Sequence, residues 1–559
     1  MIPRLPEFRF SPRVRPDLRG GRPEKWGCEP LLWRSSRAAV LRFALVLVSS
    51  ALGMAQEYDV VIRQGRLIDG SGSPAVMGDL AIRQDRIVAL GQFPGTGRVE
   101  IDAAGKVVAP GFIDVHTHSE NIAELPLGEN FLRMGVTTIV SGNCGSSETD
   151  IAAYFKTITE KQVALNVATL LGQGSVRAAV MGGSFMRPPT AAELTRMQEM
   201  VAKAMADGAV GMSTGLIYLP GTFSTTDEIV ELAKVVSAHG GIYASHMRGE
   251  SHPKIFDSVN ELARIAREAK IRAQVSHLKI SGPNGWGRAS EVVALLNQLR
   301  AEGLEITQDQ YAYTASSTGI STLVPSSARE GGTKQFIARI TDPENKAKIV
   351  AQMKSGLQDA TRTDYTYAVI ASYRVDPRLN GKTVPEAAKL LRGADTLDDQ
   401  IETVLEIVAK GGAQGVFHGM HEPDLQQFLA LPHTMIASDS GPRKYQDGVP
   451  HPRGYGNNAR VLGRYVRDLK VISLEEAVRK MSALPAQTFR LKNRGELKPG
   501  FVADVVVFDP ATVSDPSTFS DPHHYATGFS DVIVNGVPVI RNAAFTIDRP
   551  GRAVRLKDE

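Results

Sequence analysis

Short apolar runs alternate with amphipathic stretches through most of the chain. The runs GFIDVH (111–116), VTTIVSG (136–142), VALNVATLLG (163–172), AVGMSTG (209–215), GIYASH (241–246), RAQVSH (272–277), LEITQDQY (304–311) and TMIASD (434–439) have the length and the apolar content of strands buried on both faces. Between them lie segments such as TDEIVELAKVVSAHG and ASEVVALLNQLRAEG, whose apolar residues recur three and four apart. Strand and helix in alternation predict an α/β protein with a parallel sheet. Eight such strands predict a (β/α)8 TIM-like barrel over residues 111–488. The gap between the seventh and eighth runs is far longer than one crossover helix needs, so an insertion over the barrel mouth is expected at about 317–385.

The two ends of the chain read differently. From Tyr58 to Val108 apolar residues alternate between Gly-rich corners, and the same pattern returns in GELKPGFVADVVVFDP (495–510) and FSDVIVNGVPVIRN (529–542), where VNG suits a hairpin turn. Residues 56–110 and 489–559 are therefore expected to build one small β-sandwich or β-barrel domain from both ends.

Ahead of this lies RSSRAAVLRFALVLVSSALGMAQ (34–56), with arginines, an uncharged run from Phe43 to Ala55 and small residues at Gly53 and Ala55. It reads as a secretory signal, so residues 1–55 are expected to be a leader cleaved near Ala55 from a periplasmic or secreted protein, or a cytoplasmic one if the leader does not function. The run is shorter than the roughly 20 residues of a membrane-spanning helix, and no stable membrane insertion is expected after processing. The leader also changes the meaning of the charge. The chain carries a formal +4, but residues 1–42 hold ten Lys or Arg against four Asp or Glu, and the remainder is net negative by two. The compositional argument for a nucleic-acid partner disappears with that segment. Removing it also removes Cys28 and leaves Cys144 alone, so no intrachain disulfide can form.

The candidate chemistry gathers at the C-terminal ends of the expected strands, where a barrel carries its active site. His116 and His118 close the first, Cys144 follows the second, His246 closes the fifth, His277 the sixth and Asp439 the eighth. Four of the 12 histidines thus fall at strand ends assigned without reference to them. Imidazole, thiolate and carboxylate are the ligand types of zinc, and a carboxylate beside a zinc-activated water can take its proton and deliver it to a leaving amine. A Cys–His nucleophilic hydrolase is the competing reading, but it gives His116, His118 and Asp439 no task. A secreted binding protein that kept the barrel without the chemistry is a second.

GFIDVHTHSE, His246, His277 and TMIASDS resemble the amidohydrolase superfamily, and GELKPGFVADVVVFDP is similar to that superfamily's closing β segment. Within it SGNCGSS, GMSTGLIYLPG, YASHMRGE, VSHLKISG and DQYAYTASSTG resemble the N-acyl-D-amino-acid deacylases, or D-aminoacylases, over about residues 58–545. The resemblance implies zinc-dependent hydrolysis of a small N-acyl-D-amino acid. It implies a tightly bound Zn2+ on Cys144, His246 and His277, a second, weaker or empty position completed by His116 and His118, and Asp439 as the catalytic acid/base. Relatives of the dihydroorotase and hydantoinase kind bridge two metals with a carboxylated lysine; GAVGMSTG offers none, and Cys144 takes the bridging place. Another amide, a cyclic imide or a dipeptide, is the alternative substrate. For the substrate carboxylate, Lys279 shares the strand-end direction of His277, and the resemblance adds Tyr218, Tyr311, Ser317 and Arg453. Tyr313 faces the same side as Tyr311 by alternation, and His451 stands beside Arg453. His418, His421, His523 and His524 lack a strand-end position and are left out of the site. The loop SGPNGWG (281–287) is expected to lie flexibly over it.

Overall fold

The computed structural model describes residues 57–558, so the leader expected over residues 1–55 lies outside the described residues. Eight parallel strands, Phe112–Asp114, Val136–Ser141, Asn166–Gly172, Gly211–Gly215, Ile242–His246, Arg272–Val275, Ile306–Gln310 and Thr434–Ile436, lie side by side in chain order. The ring closes at its rim. There Thr117 bridges Ser440 in parallel, the His118 N–H donates to the Ser440 carbonyl at 2.9 Å, and the Asp439 N–H donates to the His116 carbonyl at 2.9 Å. Strands two to five are buried at every position, which is why they read as unbroken apolar runs and not as alternation. Helix ends are fixed locally: Thr190 caps the helix Ala191–Asp207 in a reciprocal capping box with Glu193, and Gly208 ends it at φ +112°.

The insertion is a lobe with its own core. Strands Ala315–Gly319, Ala368–Ser372 and Gln414–His418 form an antiparallel sheet of three, packed with Phe336, Met353, Ile370, Leu379, Ile401 and Leu405. The lobe therefore runs to His418, past the residue-385 limit expected from sequence. Helices Val384–Arg392 and Leu397–Ala409 have the amphipathic pattern of barrel crossovers but pack inside the lobe, and only Glu422–Ala430 leads back to the barrel.

At the opposite end of the barrel the chain termini share a nine-stranded sheet, in which Val505–Phe508 runs antiparallel to Val107–Pro110 with Val505 opposite Pro110. The last residues leave that sheet, and Ala553 bridges Val167 of the third barrel strand. Here Asp504, buried beneath the barrel floor, accepts from the Asn166 amide at 3.1 Å, from the Asn535 N–H at 2.8 Å and from Arg494 Nη1.

Candidate metal centre

The strand ends deliver the candidate ligands to one point. His246 is the last residue of its strand, while His116, Cys144, His277 and Asp439 lie two or three residues beyond theirs. Three of these take left-handed backbone, Cys144 at φ +52°, His277 at +39° and Asp439 at +51°. Such a conformation costs a non-glycine residue about 1–2 kcal/mol and persists only where surrounding structure imposes it. The Cys144 loop also depends on Gly215 at the end of the fourth strand, where a Cβ would stand 2.0 Å from the Cys144 carbonyl oxygen.

The Cys144 sulfur lies 3.6 Å from His246 Nδ1 and 3.7 Å from His277 Nε2. Zinc–sulfur and zinc–nitrogen bonds at a tetrahedral angle place ligand atoms about 3.6 Å apart, so the donor set fits the ion without rearrangement. His116 Nε2 is 3.3 Å from the same sulfur, and His118 completes a second group with His116 and Cys144 in which the ligand atoms lie within 4.8 Å of one another. Cys144 is the member common to both groups, which is the arrangement of a thiolate shared between two cation positions. His116, His277 and Asp439 form a third group of the same compactness.

The electrostatics agree. Burial opposes ionisation of Cys144, but His116 and hydrogen bonds from His116, His118 and His246 outweigh it and hold the thiol well below its ordinary range. Burial pulls His116 down while Asp309, Cys144 and Asp439 raise it well above its usual value. Burial likewise works against Asp439, yet Arg453, His116 and His118 keep its carboxyl well below the carboxylate range. The cluster thus concentrates a thiolate and carboxylates that call for positive charge, the condition a divalent cation satisfies.

Two acidic residues that sequence reasoning missed stand behind the histidines. Asp309 approaches His116 Nδ1 at 3.3 Å and accepts the His277 N–H at 3.0 Å. Glu250 Oε1 lies 3.2 Å from His277 Nδ1, 3.7 Å from His246 Nε2 and 2.6 Å from Lys279 Nζ. Both face the ring nitrogens turned away from Cys144, and so fix which nitrogen each imidazole presents. The signals were present: Glu250 follows His246 by four residues in SHMRGE, and Asp309 is the acidic residue nearer the C-terminal end of LEITQDQY.

A cavity of about 770 Å³ opens over this centre, with Cys144, His118, Asp439, Tyr218, Ser317 and Arg453 in its walls. Arg453 Nη1 is 2.8 Å from Asp439 Oδ2, and its Nη2 donates to the Ser317 carbonyl at 3.3 Å. The Tyr218 hydroxyl accepts from Thr318 Oγ1 at 3.1 Å, and burial with the nearby Cys144 raises its pKa well above the ordinary value, so it keeps its own proton to donate.

Two residues expected around substrate stand elsewhere. Lys279 does not line the cavity; at 4% exposure its ammonium requires a counter-charge and folds back onto Glu250 and His277 Nδ1, 2.8 Å away. Tyr311 is also behind the wall, its ring under the Arg453 guanidinium at 4.5 Å and its hydroxyl on Met420 Sδ. Tyr313 points away to Asp515 at 2.6 Å. His451 buttresses the wall instead of lining it, accepting the Arg453 N–H at 3.0 Å and donating to the Ala315 carbonyl at 2.8 Å. The loop 281–287 is packed down, with Trp286 stacked on His421 and donating to the Gly419 carbonyl.

Comparison with known proteins places this architecture. The amidohydrolase family profile matches residues 99–540. D-aminoacylase of Alcaligenes xylosoxydans xylosoxydans is 35% identical over 525 residues, covering 89% of this chain and 98% of the relative. N-acyl-D-glutamate deacylase of the same organism is 33% identical over 528 residues, covering 90% and 97%. A crystal structure of D-aminoacylase superposes with a TM-score of 0.76 at 34% identity, over 89% of this chain and all of the other. N-acyl-D-glutamate deacylase from Bordetella bronchiseptica, complexed with zinc and a phosphonate mimic of the tetrahedral intermediate, does so with a TM-score of 0.76 at 32% identity, over 89% and 99%. With its barrel, its rim of histidines and its shared cysteine, the chain belongs to the amidohydrolase family.

Proposed function

We propose that the protein is a zinc-dependent deacylase that hydrolyses an N-acyl-D-amino acid to a carboxylate and a free D-amino acid. The observation that carries this reading is the convergence of Cys144, His246 and His277 at zinc-ligand spacing beside Asp439, at the floor of one substrate-sized cavity. The similarity to D-aminoacylase and to N-acyl-D-glutamate deacylase supports both the amide bond and the D configuration.

Cys144, His246 and His277 would hold the ion, with His116 and His118 at a neighbouring position. Zinc, when bound there, polarises the amide carbonyl and makes water a nucleophile at neutral pH. Asp439 takes the proton from the attacking water and returns it to the amide nitrogen as the C–N bond breaks. Arg453 keeps Asp439 ionised for the first of these transfers. Tyr218 donates its free hydroxyl proton, and Arg453 presents its charge, to the substrate carboxylate. That fixes the α-carbon relative to Asp439. Lys279 and Tyr311 act from behind the wall, holding Glu250 and Arg453 in place.

Among the described residues no helix is long and apolar enough to cross a membrane. The signal-like segment 34–56 supports export to the periplasm or beyond, and mass analysis of the mature N-terminus tests it; a start well before Gln56 would count against cleavage.

The decisive experiment for the activity is hydrolysis of N-acetyl-D-methionine, its L enantiomer and a hydantoin, with and without chelator. Turnover of the D form alone, abolished by chelation and restored by zinc, is expected. Comparable turnover of D and L forms would defeat the stereochemical claim.

A further inference from the structure

A cation in the cavity wall, Arg443, lacks an anion among the described residues. Arg443, on the loop that follows the eighth strand, is half-buried and lines the same cavity as Asp439 and Arg453. Its backbone N–H is tied to Asn130 Oδ1 at 3.1 Å, while its side chain meets only the Ser440 hydroxyl, from Nε at 3.2 Å and from Nη2 at 2.9 Å. Nη1 has no partner, and no carboxylate oxygen lies within 4.0 Å of the guanidinium among the described residues.

The fully buried arginines among the described residues are treated differently. Arg177 faces Glu228, Arg494 faces Asp504 and Arg453 faces Asp439. A guanidinium taken partly out of water is poorly compensated by one neutral hydroxyl, which leaves its charge unmatched on the cavity side. Burial and the charge of Arg453 bring the Arg443 pKa down to about 10, which still leaves it cationic at neutral pH. Arg374, reaching the cavity from the inserted lobe, carries a second positive charge with no ion-pair partner among the described residues. Asp447 is the one carboxylate besides Asp439 in that wall.

We propose that Arg443 binds a second carboxylate on the substrate, the side-chain carboxylate of the amino acid being released, so that N-acyl-D-aspartate or N-acyl-D-glutamate is preferred over neutral N-acyl-D-amino acids. The proposal rests on the deacylase reading and adds the side-chain class to it. The substrate's α-carboxylate goes to Arg453 and Tyr218. Of the two guanidinium groups left without an ion-pair partner in that wall, Arg443 is the one held in place, by Asn130 and Ser440, to grip a carboxylate with two parallel N–H donors.

The test is the ratio of kcat/KM for N-acetyl-D-glutamate or N-acetyl-D-aspartate, whichever is faster, to that for N-acetyl-D-methionine, in wild type, Arg443→Met and Arg443→Lys. Loss of one charge-assisted pair predicts that a wild-type ratio above 10 falls about 30-fold in Arg443→Met, with Arg443→Lys in between because it keeps the charge and loses the fork. A wild type that favours N-acetyl-D-methionine overturns the inference and leaves the deacylase reading standing. Equal losses on acidic and neutral substrates also overturn it, because Arg443 would then be reading the α-carboxylate. N-succinyl-D-methionine provides the remaining arm: if it outpaces the acidic N-acetyl substrates, the anion sits on the acyl side and the inference falls. If no N-acyl-D-amino acid is hydrolysed at all, the deacylase reading fails first.

Discussion

The two ends of the barrel each hold a buried arginine–aspartate pair, and the pairs are built to different standards. At the floor, Arg494 meets Asp504 and also donates to Asn535 Oδ1 at 3.3 Å, while Asn166 and Asn535 close the remaining positions on the carboxylate. No fully buried polar side-chain atom of that group lacks a partner. At the rim, Arg453 meets Asp439, yet its Nε has no hydrogen-bond partner and its Nη1, though close, is not aligned for one. His246 Nε2, Ser276 Oγ and Ser438 Oγ near it are likewise unpartnered. A network completed within the protein stabilises the fold; one left incomplete keeps polar groups ready for something that arrives from outside.

Removing each carboxylate should separate the two roles. Asp439→Asn is expected to retain zinc and the wild-type melting curve while kcat falls about 10³–10⁴-fold, read by steady-state kinetics and metal analysis. Unchanged hydrolysis would reject Asp439 as the acid/base. Asp504→Ala should do the reverse. It leaves Arg494 buried without its partner and should cost about 3–5 kcal/mol in denaturant unfolding, with kcat of the folded fraction unchanged. A kinetic defect at that floor position would erase the distinction drawn here.

Smaller effects sharpen it. Glu250→Gln keeps the shape but loses the charge that faces the rear nitrogens of His246 and His277, so zinc affinity in a chelator competition should weaken about 10–100-fold. If zinc is held as tightly as before, Glu250 serves Lys279 alone. Tyr218→Phe removes one donor and leaves the ring against His246. KM for the N-acyl-D-amino acid should rise about 5-fold with kcat nearly preserved, and an effect confined to kcat would move Tyr218 from carboxylate binding to the reacting carbonyl.

How much of this could be read from the chain depends on how local each signal is. The strand-end positions of His116, His246 and His277 were legible because a buried strand announces itself by composition and its last residue is the next polar one. Cys144 and Asp439 stood out because each follows such a run within three residues. Lys279 misled for the same reason: two residues past His277 it shares that residue's direction, but a four-carbon stem lets the ammonium turn back to a carboxylate that sequence spacing does not bring near it. Glu250 and Asp309 went unnoticed because nothing about a carboxylate on a loop or inside a strand says which imidazole it faces. The lobe boundary was misjudged since helices packed in a satellite core carry the same periodicity as helices packed on a barrel.

Sequence alone determined the barrel, the order of its strands and the metal-binding character of one rim, because hydrophobic periodicity and ligand chemistry are properties of residues and their neighbours along the chain. Tertiary structure decided which nitrogen each histidine offers, which cations are already paired and which are left facing the cavity. Those depend on distances between groups up to several hundred residues apart, and an ion pair such as Arg453 with Asp439, or the lack of one at Arg443, exists only once the chain has closed on itself.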